Sequence, residues 1–174
     1  MLQYKLNLYY HLMNKFLIFI LFFLYSSFHF AYIANSKEFN GEARIIDGDS
    51  IEINDHMIRL IGIDAFEIKQ ECFKKNNAKY KCGEQSALIL ATIISGQPIH
   101  CTAEKKDRYK RWLAACYIGK LDINENMVLY GYAFSYMSNK YKNSEKEAKK
   151  VKAGAWSGKI YLSMGVEKSN KMGK

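Results

Sequence analysis

The sequence contains one proline, and its glycines are scattered, so it offers no Pro- or Gly-rich linker between domains. It has a single long apolar run, which excludes a protein with several membrane spans. It has no GxSxG motif, Walker loop or dinucleotide fingerprint, so serine-hydrolase and nucleotide-loop chemistry lack support. Its 174 residues therefore predict one globular domain with a short additional segment.

The charge of the chain is unbalanced. Against 17 Asp and Glu there are 26 Lys and Arg, which gives a formal net charge of +9. Such an excess predicts a polyanion or an anionic surface as the partner. Hydrophobic residues make up 49% of the chain and charged residues 25%, which excludes the disordered and fibrous classes.

The apolar run lies near the N-terminus, at residues 16–25, after Lys5 and Lys15 and before the first acid, Glu38. A basic start followed by an apolar stretch predicts an export signal over residues 1–35. An uncleaved membrane anchor is the alternative, because residues 16–34 are long enough to span a bilayer. Both interpretations place the rest of the chain outside the cytoplasm: periplasmic, secreted, or anchored and facing outward.

The remaining chain alternates between strand and helix patterns. Residues 68–82 are polar and lysine-rich, which predicts a loop. We expect an α+β protein with an OB-type five-stranded β-barrel and three helices, the last capped by Ser144. The expected domain spans residues 40–158, and a basic tail follows over 159–174. The predicted strands are residues 43–46, 50–53, 57–63, 99–103 and 112–118, and the predicted helices are 84–94, 124–130 and 144–153.

Four cysteines, Cys72, Cys82, Cys101 and Cys116, lie in the exported part, which predicts two disulfides. Four cysteines allow three pairings. Zinc is disfavoured because there is no CxxC pair and no histidine at ligand spacing, whereas buried free thiols are the alternative if export is wrong. A hairpin of the fourth and fifth strands would bring Cys101 beside Cys116, and Cys72 and Cys82 flank one loop, so we expect these two pairs.

Two charged residues fall on strand faces where charge is unusual. Asp49 shares a face with Ile51 and Ile53, which places it at the mouth of the barrel, although Asp47-Gly48-Asp49 also reads as a simple turn. Arg59 shares a face with Met57, Ile61 and Ile63 and therefore needs an anionic partner. That anion is a ligand, or else Asp49 or Glu52 in a purely structural pair. A further alternative is that Arg59 lies at a strand edge and its side chain snorkels to water.

Further charged residues follow the third strand and precede the fifth. Asp64 and Glu67 lie where a strand ends and can converge on a cation, although a capped turn is the alternative for Asp64. Residues 107–111 (DRYKR) place three cations and an aromatic at one rim, which fits phosphate binding or a solvated hairpin tip. Three carboxylates attract a hard divalent cation, and two arginines neutralise a phosphodiester. The combination predicts metal-assisted phosphodiester hydrolysis.

These motifs resemble those of the staphylococcal-nuclease-like, or thermonuclease, family of exported bacterial type. The resemblance runs from about residue 43 to 156 and rests on residues 46–50 (IDGDS), 58–67 (IRLIGIDAFE), 107–114 (DRYKRWLA), 128–133 and 147–156. It implies a nuclease with an OB-type barrel and calcium-dependent cleavage of DNA and RNA. In that reaction a metal-held water attacks the phosphate, and two arginines stabilise the transition state.

The resemblance also implies roles for individual residues. Asp49 and Asp64 match the carboxylates that hold Ca²⁺, and Ala65 matches the position whose backbone carbonyl completes the set. Glu67 matches the glutamate proposed to activate water, and Arg59 and Arg111 match the phosphate-binding arginines. The remaining matches are Arg108 and Tyr109, near the terminal phosphate, and Tyr136, a base-stacking tyrosine.

Two positions depart from the family pattern. Phe66 replaces the proline that usually precedes the glutamate, which predicts a looser turn at Glu67. Lys110 replaces a small residue, which predicts a change in how the substrate fits.

A second function is compatible with the same fold: a nucleic-acid-binding OB module without catalysis. Such a module needs basic and aromatic residues but gains nothing from Asp49, Asp64 and Glu67, which repel phosphate. The sequence therefore favours a nuclease with DNA or RNA as substrate. It is expected to act as a monomer, with membrane attachment only if the N-terminal segment is retained.

Overall fold

The computed structural model describes residues 13–22 and 36–160. The chain divides after Asn35 into two compact units. In the first unit, residues 13–22 form helix α1, and no helix among the described residues is long and apolar enough to cross a membrane. The rest of the expected export segment, and the tail from residue 161 onward, lie outside the described residues.

The second unit combines short strands with three helices and a 3₁₀ turn at Gly154–Ser157. The helices are α2 (Cys82–Ile94), α3 (Ile123–Leu129) and α4 (Lys142–Lys150). The strands are β1 (Lys37–Gly41), β2 (Arg44–Ile45), β3 (Ser50–Ile53), β4 (His56–Leu60), β5 (Ile63–Ala65), β6 (Cys72–Phe73), β7 (Lys79–Tyr80), β8 (Ile99–Lys106), β9 (Trp112–Ile118), β10 (Leu121–Asp122) and β11 (Ala133–Ser135).

The main sheet curls into a barrel. Its strand order is β1-β8-β9-β4-β3-β2, with β10 added to β9, and only the β4–β9 pair is parallel. The two ends of this order, β1 and β2, are separated along the chain by residues 42 and 43 alone, so the sheet must curl to bring its two edge strands toward each other. Gly41, with φ +148°, provides the bend between them. The α+β class and the OB-type fold are thereby confirmed.

The core follows the period-two pattern of the strands. Ile51 and Ile53 of β3 and Ile58 and Leu60 of β4 are completely buried, and each such side chain contributes roughly 1.5–3 kcal/mol on burial. Helices α2 and α3 complete the same cluster with the buried residues Leu90, Ile94, Ile123, Met127 and Val128.

The expected secondary structure was wrong in several details. Strands β1, β10 and β11 were not predicted. The third strand is broken at Gly62, where φ is +80°, and the continuation β5 leaves the main sheet to pair with β11. The region 68–82 is not only loop, since it contains the β6–β7 hairpin. Helix α4 begins at Lys142 with Tyr141 as its N-cap, so the expected cap, Ser144, lies inside the helix, where its hydroxyl donates to Glu125 Oε1 at 2.6 Å.

Both expected disulfides are present. Cys101 and Cys116 are directly opposite each other in the β8–β9 ladder and are bonded. The Cys72–Cys82 bond joins β6 to the first residue of α2. It belongs to a second buried cluster with Phe66, Phe134 and Ala155, which lies beside the segment that carries Glu67.

Candidate active site

A cleft of about 540 Å³ brings together residues from separate segments of the chain. Six of the expected site residues line it: Asp49, Arg59, Ala65, Glu67, Tyr109 and Arg111. Asp47, Met57 and Phe66 also line it, and the sequence did not identify them as site residues. The other three expected residues, Asp64, Arg108 and Tyr136, do not line the cleft, and Asp64 contacts it through Arg59.

The local fold explains why Asp49 and Arg59 meet. Ser50 is paired with Arg59 in the β3–β4 ladder, so Asp49 lies one residue before the start of β3 and next to the arginine. The backbone N–H of Asp49 donates to Asp47 Oδ1 at 2.9 Å, which closes the turn before the strand. Both interpretations of this motif therefore hold, since the turn itself positions the buried carboxylate.

Arg59 joins two carboxylates through one nitrogen. Its Nη2 donates to Asp64 Oδ1 at 2.7 Å and lies 3.1 Å from Asp49 Oδ2. Asp49 Oδ2 also accepts the backbone N–H of Ala65 at 3.1 Å. The expected neighbours of Arg59 on its strand face were partly wrong, because the turn at Gly62 puts Ile63 on a different strand. Arg59 and the half-buried Met57 both line the cleft.

Burial makes this group of charges unusual. Asp49 is only 4% exposed, and burial raises its pKa to about 6 even though the charge of Arg59 acts to lower it. Burial acts to lower the pKa of Arg59, but the charges of Asp49 and Asp64 outweigh that effect and raise it. One arginine therefore compensates the buried carboxylate only in part, and a further cation at this position would be favourable.

The expected metal ligands fit a hard cation. Among residues 13–22 and 36–160, no three His, Cys, Asp or Glu side chains form a group that could hold a metal ion by themselves. The expected set needs only two carboxylates and a backbone carbonyl. Asp49 Oδ2 and Asp64 Oδ1 lie 3.1 and 2.7 Å from Arg59 Nη2, so the two carboxylates face a common position, which the guanidinium occupies. Oxygen donors of this kind suit Ca²⁺ or Mg²⁺ rather than zinc.

Arg111 reaches the same cleft from the β8–β9 turn. Its Nη1 donates to Ser50 Oγ at 3.3 Å, and that hydroxyl donates to Asp49 Oδ1 at 3.0 Å. Its Nε and Nη2 are bound by Asp107. The network links the arginine to the buried carboxylate through a single serine, Ser50, to which the sequence motif assigned no role.

Tyr109 stands at the rim of the cleft and is 65% exposed. The guanidinium carbons of Arg108 and Arg111 lie 4.8 and 5.5 Å from the centre of its ring. An exposed aromatic ring between two cations can stack on a base and attract a phosphate at the same time.

The Glu67 side chain is exposed and lines the cleft, whereas its backbone is fixed. Its N–H donates to Gln70 Oε1 at 3.2 Å, and its carbonyl accepts the Gln70 N–H at 2.7 Å. The adjacent Phe66 is 2% exposed and packs on Phe134, with ring centres 5.1 Å apart. An accessible carboxylate on an anchored turn can accept a proton in the cleft.

Comparison with known proteins agrees with this geometry. A family model described as "Staphylococcal nuclease homologue" matches residues 57–158. The chain is 36% identical over 122 residues to the succinoglycan biosynthesis protein ExoI of Rhizobium meliloti, which covers 67% of this chain and 63% of that protein. The chain thus spans somewhat less than two thirds of that relative.

Two further relatives carry nuclease names. An uncharacterized endonuclease of Escherichia coli O157:H7 is 31% identical over 125 residues, covering 66% of this chain and 74% of its own. The thermonuclease of Staphylococcus hyicus is 30% identical over 127 residues, covering 66% and 73%. The matched family region includes most of β4, together with β5, the Glu67 turn and Arg111. The chain belongs to the staphylococcal nuclease homologue family.

Proposed function

We propose that this protein is an exported, calcium-dependent nuclease that hydrolyses phosphodiester bonds in DNA, RNA or both. Membership of the family supports hydrolysis of nucleic acid in general. The observation that carries the proposal is the shared cleft, in which Arg59, Arg111 and Glu67 surround the buried Asp49. A module that only binds nucleic acid has no use for a buried carboxylate at the centre of its basic surface.

The two arginines oppose the charge that grows on the phosphate. Attack on a phosphodiester adds negative charge to its oxygens, and N–H donors that are already in place stabilise that charge without reorganising. Arg59 approaches the cleft from β4 and Arg111 from the β8–β9 turn, so a phosphate between them is contacted from two directions.

Glu67 is the group in the cleft that suits the role of base toward water. It is exposed at the wall of the cleft and has carboxylate oxygens that can accept a proton. Tyr109, at the rim, is placed to contact the neighbouring nucleotide.

Asp49 and Asp64, with the carbonyl of Ala65, would hold Ca²⁺. When bound, the ion supplies positive charge to the phosphate and makes a water molecule more acidic. Its charge would also complete the neutralisation of Asp49, which Arg59 achieves only in part.

Export is supported by the cysteines. All four are bonded in pairs, and disulfides persist mainly in compartments outside the cytoplasm. The N-terminal apolar segment is the proposed export signal or anchor, and cell fractionation of the full chain distinguishes the periplasmic, secreted and anchored forms.

Cleavage of supercoiled plasmid and of RNA by the full chain tests the proposal, with calcium added and then with a calcium chelator. We expect nicked and linear plasmid with calcium and no cleavage with chelator. Arg59→Ala, Arg111→Ala and Glu67→Gln should each lower the rate on the order of a hundredfold. Arg44→Ala is the matched control, because Arg44 is an exposed arginine of β2 that pairs with Glu52 outside the cleft.

Two outcomes would contradict the proposal. Wild-type rates in all three cleft variants would remove these residues from the mechanism. Tight binding of nucleic acid without cleavage in calcium would favour the binding module.

A further inference from the structure

The guanidinium of Arg111 is held at all three of its nitrogens by the protein itself. Nε donates to Asp107 Oδ2 at 2.9 Å, and Nη2 lies 2.8 Å from the same oxygen. Nη1 donates to Ser50 Oγ at 3.3 Å. A guanidinium has five N–H groups, and contacts with the described residues use three of them. Two N–H groups therefore remain for a substrate oxygen.

The carboxylate of Asp107 divides its two oxygens between two tasks. Oδ1 accepts the backbone N–H groups of Tyr109 and Arg111 at 2.9 and 3.0 Å. Oδ2 accepts from the guanidinium of Arg111. The turn is closed independently by backbone hydrogen bonds, from the Asp107 N–H to the Arg111 carbonyl at 2.9 Å and from the Lys110 N–H to the Asp107 carbonyl at 3.0 Å.

We propose that Asp107 is a positioning residue: its Oδ2 orients the guanidinium of Arg111 toward the phosphate. This proposal rests on the nuclease function proposed above. Asp107 does not line the cleft, and its carboxylate contacts the guanidinium of Arg111, so its effect on the phosphate would pass through that arginine. A planar guanidinium fixed along one edge by a carboxylate presents its other N–H groups in one direction. A guanidinium that is oriented before the substrate binds lowers the activation barrier for cleavage more than a mobile guanidinium, which must first be ordered.

The electrostatics of Asp107 agree with this role. Burial acts to raise the pKa of Asp107, but hydrogen bonds from Arg111 outweigh it and lower the pKa. The side chains of Asp107 and Arg111 are 15% and 22% exposed, so water competes for the pair only in part.

Asp107→Asn separates the two tasks of the carboxylate. The amide oxygen can replace Oδ1 toward the two backbone N–H groups, so the turn is retained. The amide NH₂ then replaces Oδ2 and cannot accept from the guanidinium. Asp55→Asn is the matched control, because Asp55 is exposed in the β3–β4 turn with φ +63°, which Asn tolerates equally well.

Plasmid cleavage by the full chain is measured for wild type, D107N, R111A and the double variant, with melting temperature followed in parallel. We expect D107N to lower kcat between about tenfold and a hundredfold, with KM changed by less than about threefold. In the R111A background, D107N should not lower kcat further, because Asp107 acts on the phosphate through Arg111 and that side chain is absent. An equal loss in both backgrounds, or a loss matched by D55N, would overturn the proposal.

A second measurement does not depend on cleavage. The Nε–H proton of Arg111, identified by its absence in R111A, should exchange slowly with water in wild type and quickly in D107N. Fast exchange in wild type would show that Asp107 does not hold the guanidinium. If the wild type fails to cleave nucleic acid but this proton is protected, the nuclease function fails and the positioning by Asp107 stands.

Discussion

Gly83→Ala tests the contact between helix α2 and the Glu67 turn without changing any functional side chain. Gly83 is buried in the first turn of α2, and a Cβ there would lie 1.8 Å from the Glu67 carbonyl oxygen. Real Cβ atoms essentially never approach closer than 3.0 Å, so the carbonyl must retreat by at least 1.2 Å (3.0 − 1.8). The turn cannot retreat easily, because the Gly83 N–H donates to the Gln70 carbonyl and the Cys72–Cys82 bond closes the loop.

Two opposing effects decide the sign of the change in stability. Alanine stabilises a helix interior by about 1 kcal/mol relative to glycine, so the propensity alone predicts a more stable protein. Overpacking of a tight site costs roughly 1–3 kcal/mol and more where backbone must move. We expect a net loss of about 1–2 kcal/mol in the free energy of unfolding. A displacement of this size at Glu67 should lower the cleavage rate by about a hundredfold.

Urea denaturation and plasmid cleavage measure the two effects of Gly83→Ala. Gly96→Ala is the control, because Gly96 has φ +68° and no neighbouring atom lies within 4 Å of the position that a Cβ would take. It should lose about 1 kcal/mol from backbone strain and keep its full rate. A Gly83→Ala protein that is more stable than wild type and fully active would show that α2 does not pack on the Glu67 carbonyl.

Three further changes test other parts of the structure. Lys110→Gly should stabilise the protein by about 0.5–1 kcal/mol in urea denaturation, because Lys110 has φ +65°; no gain would contradict that backbone conformation. Replacing Cys72 and Cys82 by Ala should lower the free energy of unfolding by roughly 2–3 kcal/mol and slow cleavage, whereas loss of the Cys101–Cys116 bond should leave the cleavage rate unchanged. Equal cleavage rates in the two variants would show that the loop closed by Cys72–Cys82 does not help to position Glu67. Burial opposes but does not prevent a lowered pKa at Asp107, so its carboxylate stabilises the fold above about pH 4, and that contribution disappears as the pH falls further. The D107N protein should therefore show a weaker acid dependence of stability, and an unchanged dependence would exclude this contribution.

The sequence predicted the parts of the fold that rest on local patterns. Ile51 and Ile53 alternate along one strand and are buried, and the hairpin that pairs Cys101 with Cys116 follows from two adjacent strands. The break at Gly62 was not foreseen, because residues 58–63 are uniformly apolar apart from Arg59 and Gly62. The partner strand of β5 is β11, which lies about seventy residues later in the chain. Long-range pairing of short strands leaves no periodic signal in either segment.

The site was predictable as a set of residue types but not as a network. Spacing and charge indicated that carboxylates and arginines belong together, whereas the contacts that hold Arg111 depend on side-chain orientation. Ser50 reads as an ordinary strand residue, and Asp107 as a turn former. The role of each becomes visible only when Ser50 Oγ and Asp107 Oδ2 are found on different nitrogens of one guanidinium.

Contacts between distant segments also explain how the Glu67 turn is ordered without the proline of the family pattern. Proline restrains a turn through its own backbone, whereas Phe66 does so only if its ring is held elsewhere. Its ring packs on Phe134, which in turn meets Trp156 with ring centres 5.3 Å apart. Phe134 lies in β11, and β11 pairs with β5, so the segment that carries Glu67 is anchored to the strand that carries Asp64. The expected looseness of this turn therefore does not follow from the loss of proline: buried aromatic contacts between segments distant in sequence replace a local backbone restraint.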